Sequence, residues 1–252
     1  MMKYKGGYFR LLTWLVKKPM YRKYGKEKTR KWIRESNAVY RKMLEESDDI
    51  GSDNPMAGNT YMGYVFMAIW KAADGEIKVE DFKKVTREMM DRPLVKIIKG
   101  GNDMNRKEDV EKMSNMLHAA DAWQKAHPEY AEKSWDFHFD ETKHKDGFYY
   151  YFTRCPMETY AREHGFMEVL PVCCDLDYCT AKLRHARLIR DKTLADGCDM
   201  CEYWFVGDQV KNPQLEERQI RDAWKYKGKT SEQICTGLCA VRSGDHRDFL
   251  QL

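Results

Sequence analysis

The spacing of apolar residues changes at Pro128, and no other feature constrains the fold of this chain as strongly. Upstream, apolar residues recur every three or four positions, the period of helices with one buried face. Downstream they alternate, the period of a half-buried strand. Residues 8–16 read as a short amphipathic helix ended by Pro19. A second helix is predicted from about Lys28 to Glu46, on the spacing of Trp32, Ile33, Val39, Tyr40, Met43 and Leu44. Residues 47–59 are dense in turn formers and read as a loop, with Asn59 or Thr60 capping the next helix. Val79, Phe82, Val85 and Met89 mark a further helix, and the longest is expected from about Asn105 to Ala126.

After Pro128, Trp135, Phe137 and Phe139 alternate with Asp136, His138 and Asp140, and Phe148 to Thr153 completes a hairpin across Lys145-Asp146-Gly147. Cys155-Pro156 ends that strand, a helix follows from Met157 to His164, and Gly165 closes it. Cys173-Cys174 is read as extended chain leading to a helix over Asp177 to Leu183. Strands are predicted at about Ala186 to Thr193 and Glu202 to Val206. The class is therefore α+β: a helical N-terminal half (1–130), then a mostly antiparallel sheet with packed helices (131–252), the two able to form one continuous domain. The tail after Pro213 starts helical.

Charge is distributed unevenly. Residues 1–34 carry twelve Lys or Arg against the single acid Glu27, a net +11 within a chain whose overall formal charge is only +4. Trp14, Tyr21, Tyr24 and Trp32 are interleaved with these cations. The simpler reading is a solvated helical face packed by its aromatic side; the alternative is a surface that meets phosphate or anionic membrane. The longest notable apolar run, Tyr64 to Trp70, is far too short for a membrane span. Arg10 interrupts the apolar patch from Tyr8 to Val16, and Lys17-Lys18-Pro19 stands where a cleavage site belongs, so no export signal is read. A cytoplasmic protein is expected, its cysteines thiols rather than a disulfide framework. The expected partner is a small-molecule substrate, with a homo-oligomer allowed and no nucleic acid.

Six of the eight cysteines fall between Cys155 and Cys201, and none precedes Cys155. A chain using cysteine only as apolar filler would scatter it. Cys155 stands where a strand gives way to a helix, whose free amides favour a thiolate; a buried structural thiol is the plain alternative. Cys174 and Asp177 converge if Asp177 opens a helix, which puts a thiol beside an acid or base. The alternative role for Asp177 is a helix cap. Cys198 and Cys201 form a CxxC that Cys174 and Cys179 could complete as a thiolate zinc site, but the 174–179 spacing is wider than a usual knuckle and no metal is expected.

Cys155-Pro156, Gly165, Cys174 with Asp177, then Thr193, Ala195, Gly197 and Cys201 stand in an order that resembles the L-2-amino-thiazoline-4-carboxylic acid hydrolase family. Tyr203, and the additional Cys173, Cys179 and Cys198, depart from the pattern. The resemblance implies a cofactor-free hydrolase that opens a small cyclic amidine or thiazoline ring at a carbon–nitrogen or carbon–sulfur bond. Cys174 or Cys155 attacks the amidine carbon, or Asp177 activates water. Thr193, Gly197 and Cys201 would line the substrate, and Arg154 or Arg190 would hold its carboxylate. A non-catalytic small-molecule sensor of the same fold is the alternative.

Overall fold

The computed structural model describes residues 1–211; the helix expected after Pro213 lies outside them. Seven helices precede the first strand among these residues. They are α1 (Gly6–Tyr24), α2 (Lys26–Glu46), α3 (Ala57–Ala72), α4 (Val79–Met90), α5 (Pro93–Lys99), α6 (Lys107–Ala126) and the single turn α7 (Pro128–Ala131). Helix α3 is apolar around most of its circumference and is correspondingly the central one: Tyr61, Tyr64, Val65, Phe66, Met67, Ala68 and Ile69 are all buried. Trp32, Tyr40, Met43 and Leu44 of α2 join the same hydrophobic cluster.

Two boundaries differ from the sequence expectation. Asn59 and Thr60 lie inside α3, and the turn before it is organised by Asn54, whose Oδ1 accepts from the Met56 amide at 2.9 Å. Helix α1 does not stop at Pro19 but runs through it. An interior proline removes the N–H that would bond the carbonyl four residues back, here that of Leu15. Arg92 supplies the missing donor: its Nη1 reaches the Leu15 carbonyl at 2.8 Å and that of Trp14 at 3.1 Å. The guanidinium also lies 4.3 Å over the Trp14 ring. A distant side chain thus repairs the helix, which local propensity could not foretell.

The strands are β1 (Phe137–Phe139), β2 (Phe148–Phe152), β3 (Ala186–Ile189) and β4 (Cys201–Gly207), in the order β1-β2-β4-β3, every pair antiparallel. The α+β class holds, with the helices gathered in the N-terminal half. Strand alternation sends Phe148, Tyr150, Phe152, Cys201, Tyr203 and Phe205 into the main core, while Tyr149, Ile189, Trp204 and Val206 form a small cluster on the other face. Between β2 and β4, Tyr150 opposes Tyr203 and Phe152 opposes Cys201.

Two helices cover the core face. Helix α8 (Pro156–His164) begins at a proline and ends at Gly165 in the left-handed region, φ 76°. Helix α9 (Leu170–Leu183) corrects a further expectation, because Cys173 and Cys174 belong to it rather than to extended chain. Pro171 in its first turn needs no N–H there, so the helix opens well before Asp177. It packs close to α3 because Gly63 has no side chain: a Cβ there would sit 2.4 Å from Met157 Sδ and 3.6 Å from Cys173 Sγ.

The proline repair is testable. Arg92→Ala should cost about 1–3 kcal/mol in urea unfolding, the usual penalty for an orphaned buried carbonyl. In a Pro19→Ala background the restored N–H at position 19 serves Leu15 instead, so the same substitution should cost clearly less. Equal costs in the two backgrounds would show that Arg92 does not compensate for the proline.

Candidate functional site

A cavity of about 520 Å³ lies between α1, α3, α5 and the α9–sheet layer. Most of its wall is apolar, from Leu11, Leu15, Met62, Phe66, Met90 and Ile98. Polar groups gather along the α9 and β4 side, where Cys174, Asp177, Cys201 and Tyr203 line it, with Cys155, Glu158 and Cys173 contributing from α8 and α9. A mostly apolar cleft with a few converging polar groups is the usual form of a small-molecule site.

Asp177 is the hub of the polar end. Its place three residues after Cys174 on α9 puts both on one side of the helix. Asp177 Oδ2 accepts from Arg190 Nη2 at 2.8 Å and from the Tyr203 hydroxyl at 3.1 Å. Arg190 follows β3, and its side chain has no accessible surface. Its Nε donates to the Glu202 carbonyl at 3.1 Å, and its guanidinium lies 4.0 Å over the Tyr203 ring. Tyr203 in turn stacks on Tyr150, with centroids 4.8 Å apart. A guanidinium taken out of water needs such a full set of partners, and this one has a carboxylate, a carbonyl and an aromatic face.

The thiols are neutral. Burial pushes Cys155 up to about 12, although the Met157 and Glu158 amides at the start of α8 oppose it. The helix end does act on this thiol as the sequence suggested, but desolvation outweighs it. Burial likewise raises Cys201 to about 11, against the pull of Arg190 and the Leu194 amide, which reaches its Sγ at 3.2 Å. Cys174 is raised well above the ordinary range, first by burial and then by Cys201. Cys201 therefore lies close enough to both Cys155 and Cys174 to affect them.

Of the residues singled out in the sequence, Cys155, Cys174, Asp177 and Cys201 line the same cavity. Arg190 stands behind Asp177 with its guanidinium fully enclosed. Arg154, Thr193 and Gly197 are not among the lining residues. Arg154 bonds the Ala131 and Ser134 carbonyls at 2.7 and 3.0 Å, bracing the entry to β1. Thr193 Oγ1 bonds Asp196 Oδ2 at 2.8 Å and caps a short 3-10 turn, which Gly197 closes at φ 80°. Cys179 lies off the cavity beside the Arg87–Asp175 pair, whose Nε–Oδ2 distance is 2.6 Å. Among the described residues no group of three or more His, Cys, Asp or Glu is placed to hold a metal.

Sequence reasoning passed over Lys99. It ends α5 and is the one cationic side chain lining the cavity among the described residues. Burial lowers its pKa, as does Arg184, while Asp177 opposes them. The available signal was the acid-free LVKIIKG segment, which gives no hint of a neighbour on α9.

Cys155, Cys174, Asp177 and Cys201 all fall within a span that a known family matches. A family model of L-2-amino-thiazoline-4-carboxylic acid hydrolase matches residues 58–205. The chain belongs to that family. The match takes in α3 through most of β4, and so the entire polar end of the cavity in this hydrolase-family chain. Comparison with curated proteins and with solved structures gave no match.

The raised thiols predict low reactivity. At pH 8 a thiol of pKa about 11 has roughly two hundredfold less thiolate than an ordinary one, and its greater nucleophilicity returns only about tenfold. Iodoacetamide should therefore label Cys155 and Cys201 in the native family member at least about tenfold more slowly than after unfolding. Because the folded values exceed those of the unfolded chain, thiol linkage preserves full stability below about pH 8.5 and erodes it as pH rises toward 11–12. Labelling as fast in the native as in the unfolded protein at pH 8 would contradict the buried placement.

Proposed function

We propose that this protein hydrolyses a small cyclic amidine of the 2-amino-thiazoline-4-carboxylate type, by attack on the ring amidine carbon at the Asp177 end of the cavity. The observation that carries this reading is the state of Asp177. One carboxylate oxygen is held by Arg190 and Tyr203, while the residue itself faces the cavity with its side chain 38% exposed. Its other oxygen is available to a ligand. An amidine presents N–H donors and accumulates positive charge on nitrogen, so a fixed carboxylate binds and orients it.

The attacking group is either the Cys174 thiol or water, and both need a base because neither is ionised at neutral pH. Asp177 serves in either route: it takes the proton as the sulfur or oxygen bonds to the amidine carbon. The ring bond to sulfur or nitrogen then breaks, and the departing atom receives that proton. On the thiol route water next attacks the same carbon, giving its proton to Asp177, and the bond to Cys174 Sγ breaks as that proton passes to the sulfur. Arg190 and Tyr203 are positioning residues that hold the carboxylate in place. Lys99 is the anchor for the substrate carboxylate, the role first assigned to Arg154 or Arg190. At about 30 Å³ for each water-sized group, the cavity takes roughly seventeen, about twice the needs of the bare aminothiazoline acid. An apolar substituent on the ring fits the remaining space.

The test is turnover of a panel of cyclic amidines and thiazoline carboxylates, with and without alkyl substituents. Asp177→Asn should lower kcat by at least about a hundredfold, and Cys174→Ser should do the same on the thiol route but cost less than about tenfold on the water route, while Cys179→Ser stays near normal. Lys99→Met should raise KM for carboxylate-bearing rings about tenfold and leave kcat nearly unchanged. Asp177 partners a buried guanidinium, so Asp177→Asn should also lower Tm, and its kcat must be measured well below that temperature. Full turnover in both Cys174→Ser and Asp177→Asn would sink the assignment. A panel that shifts Tm but is never opened favours the sensor reading instead.

A further inference from the structure

The rim of the cavity is apolar and faces solvent. Leu11 of α1 and Ile98 of α5 line the cavity yet are 44% and 57% exposed, so they mark its mouth. Trp14 (52%), Leu94 (39%) and Ile97 (76%) extend this surface outward. Arg92 joins the two helices by bonding the Leu15 carbonyl while lying over Trp14, which makes the patch continuous.

The charge around this patch is predominantly positive. Neither α1 nor α5 contains an acidic residue. Arg10, Lys17 and Lys18 are exposed on the same side of α1 as Leu11 and Trp14, and among the described residues they form no ion pair. Lys96 on α5 is 3.6 Å from Asp91, the nearest acid in sequence. On α1 the cations that pair lie at its far end, where Arg22 pairs with Glu88 and Lys23 with Asp81. The sequence expectation of aromatics packed inward holds for Trp32, which is buried, and fails for Trp14.

We infer that this rim docks on an anionic lipid surface, with the cavity mouth opening toward the bilayer interface. Exposed Ile and Leu with a Trp, ringed by Lys and Arg with a single neighbouring acid, Asp91, are the marks of a helix face that lies in the headgroup region. Apolar tips enter the acyl boundary while cations meet anionic headgroups. A nucleic acid would satisfy the cations but offers no apolar phase to Leu94, Ile97 and Ile98. A second copy joined through a two-fold axis would set this cationic face against itself. Among the described residues no helix is long and apolar enough to cross a membrane, so the contact is with the surface.

The full chain should be sedimented with phosphatidylcholine vesicles, with and without about one third phosphatidylserine, at about 0.1 M salt. Binding should be at least about tenfold tighter to the anionic vesicles. Ile97→Ser, which touches neither the cavity wall nor the Asp177 cluster, should weaken it about tenfold or more. Lys17→Glu with Lys18→Glu should weaken it by more than the roughly fivefold expected per cation simply removed. Both variants should keep the wild-type Tm. No binding to anionic vesicles, or full binding by Ile97→Ser, overturns the inference. So does a solution dimer that Ile97→Ser dissociates, because a second copy then covers the face. Equal affinity for duplex DNA, insensitive to Ile97→Ser, would reduce the face to a polyanion site and overturn it as well.

Discussion

Arg190 is a cation with no accessible surface, and the arrangement around the polar end of the cavity follows from the need to satisfy it. A buried guanidinium left without partners would cost several kcal/mol. The partners come from three places: Asp177 on α9, the Glu202 carbonyl on β4, and the ring of Tyr203. Meeting that requirement fixes α9 against the β3–β4 edge of the sheet. It also fixes the carboxylate, because Oδ2 is held from two sides by Arg190 and Tyr203. The feature that stabilises the layer contact is the same one that leaves an oriented carboxylate at the cavity.

The thiols show the opposite balance. Cys174 and Cys201 lie near that carboxylate and Cys155 lies near Cys201, yet burial keeps each protonated beyond the physiological range. Favourable local geometry at Cys155, with two helix amides aimed at its sulfur, is not enough to reverse the desolvation. A ligand changes this balance. A cationic amidine bound to Asp177 would add positive charge beside Cys174, the direction that lowers a thiol pKa. On the proposed reading, activation of the thiol would follow occupancy, and the free site would be spared chance alkylation and oxidation.

Much of the architecture was legible because it rests on local periodicity. The switch from helical to alternating spacing near Pro128, the Pro156 start and Gly165 end of α8, and the hairpin of β1 and β2 all follow from residues close in sequence. The Cys174–Asp177 step was legible for the same reason. What escaped depends on distant partners. Pro19 reads as a helix end until Arg92 is seen donating to the Leu15 carbonyl. Cys173-Cys174 reads as extended until Pro171 is recognised as a first-turn residue rather than a breaker. Arg154 and Arg190 are equally plausible carboxylate anchors in a string of letters. In space, one braces a loop and the other is sealed behind Asp177. Lys99 had only its acid-free segment as a signal, which says nothing of a neighbour on α9.

The segment from Arg92 to Lys99 connects the two ends of the cavity. Its first residue repairs α1 at Pro19 and supports the Trp14 ring at the mouth. Its last places an amine whose charge is felt by Asp177 at the polar end. Between them, Val95 and Ile98 line the wall, and Leu94 and Ile97 face outward. Helix α5 is only seven residues long, too short to be stable alone, so its position depends on Arg92 and on its contacts with the body. A shift of this short helix would move the cavity rim and the Lys99 amine together. The rim of the mouth and the amine at the polar end thus sit on one element. That arrangement follows from a proline in α1 that the fold had to accommodate.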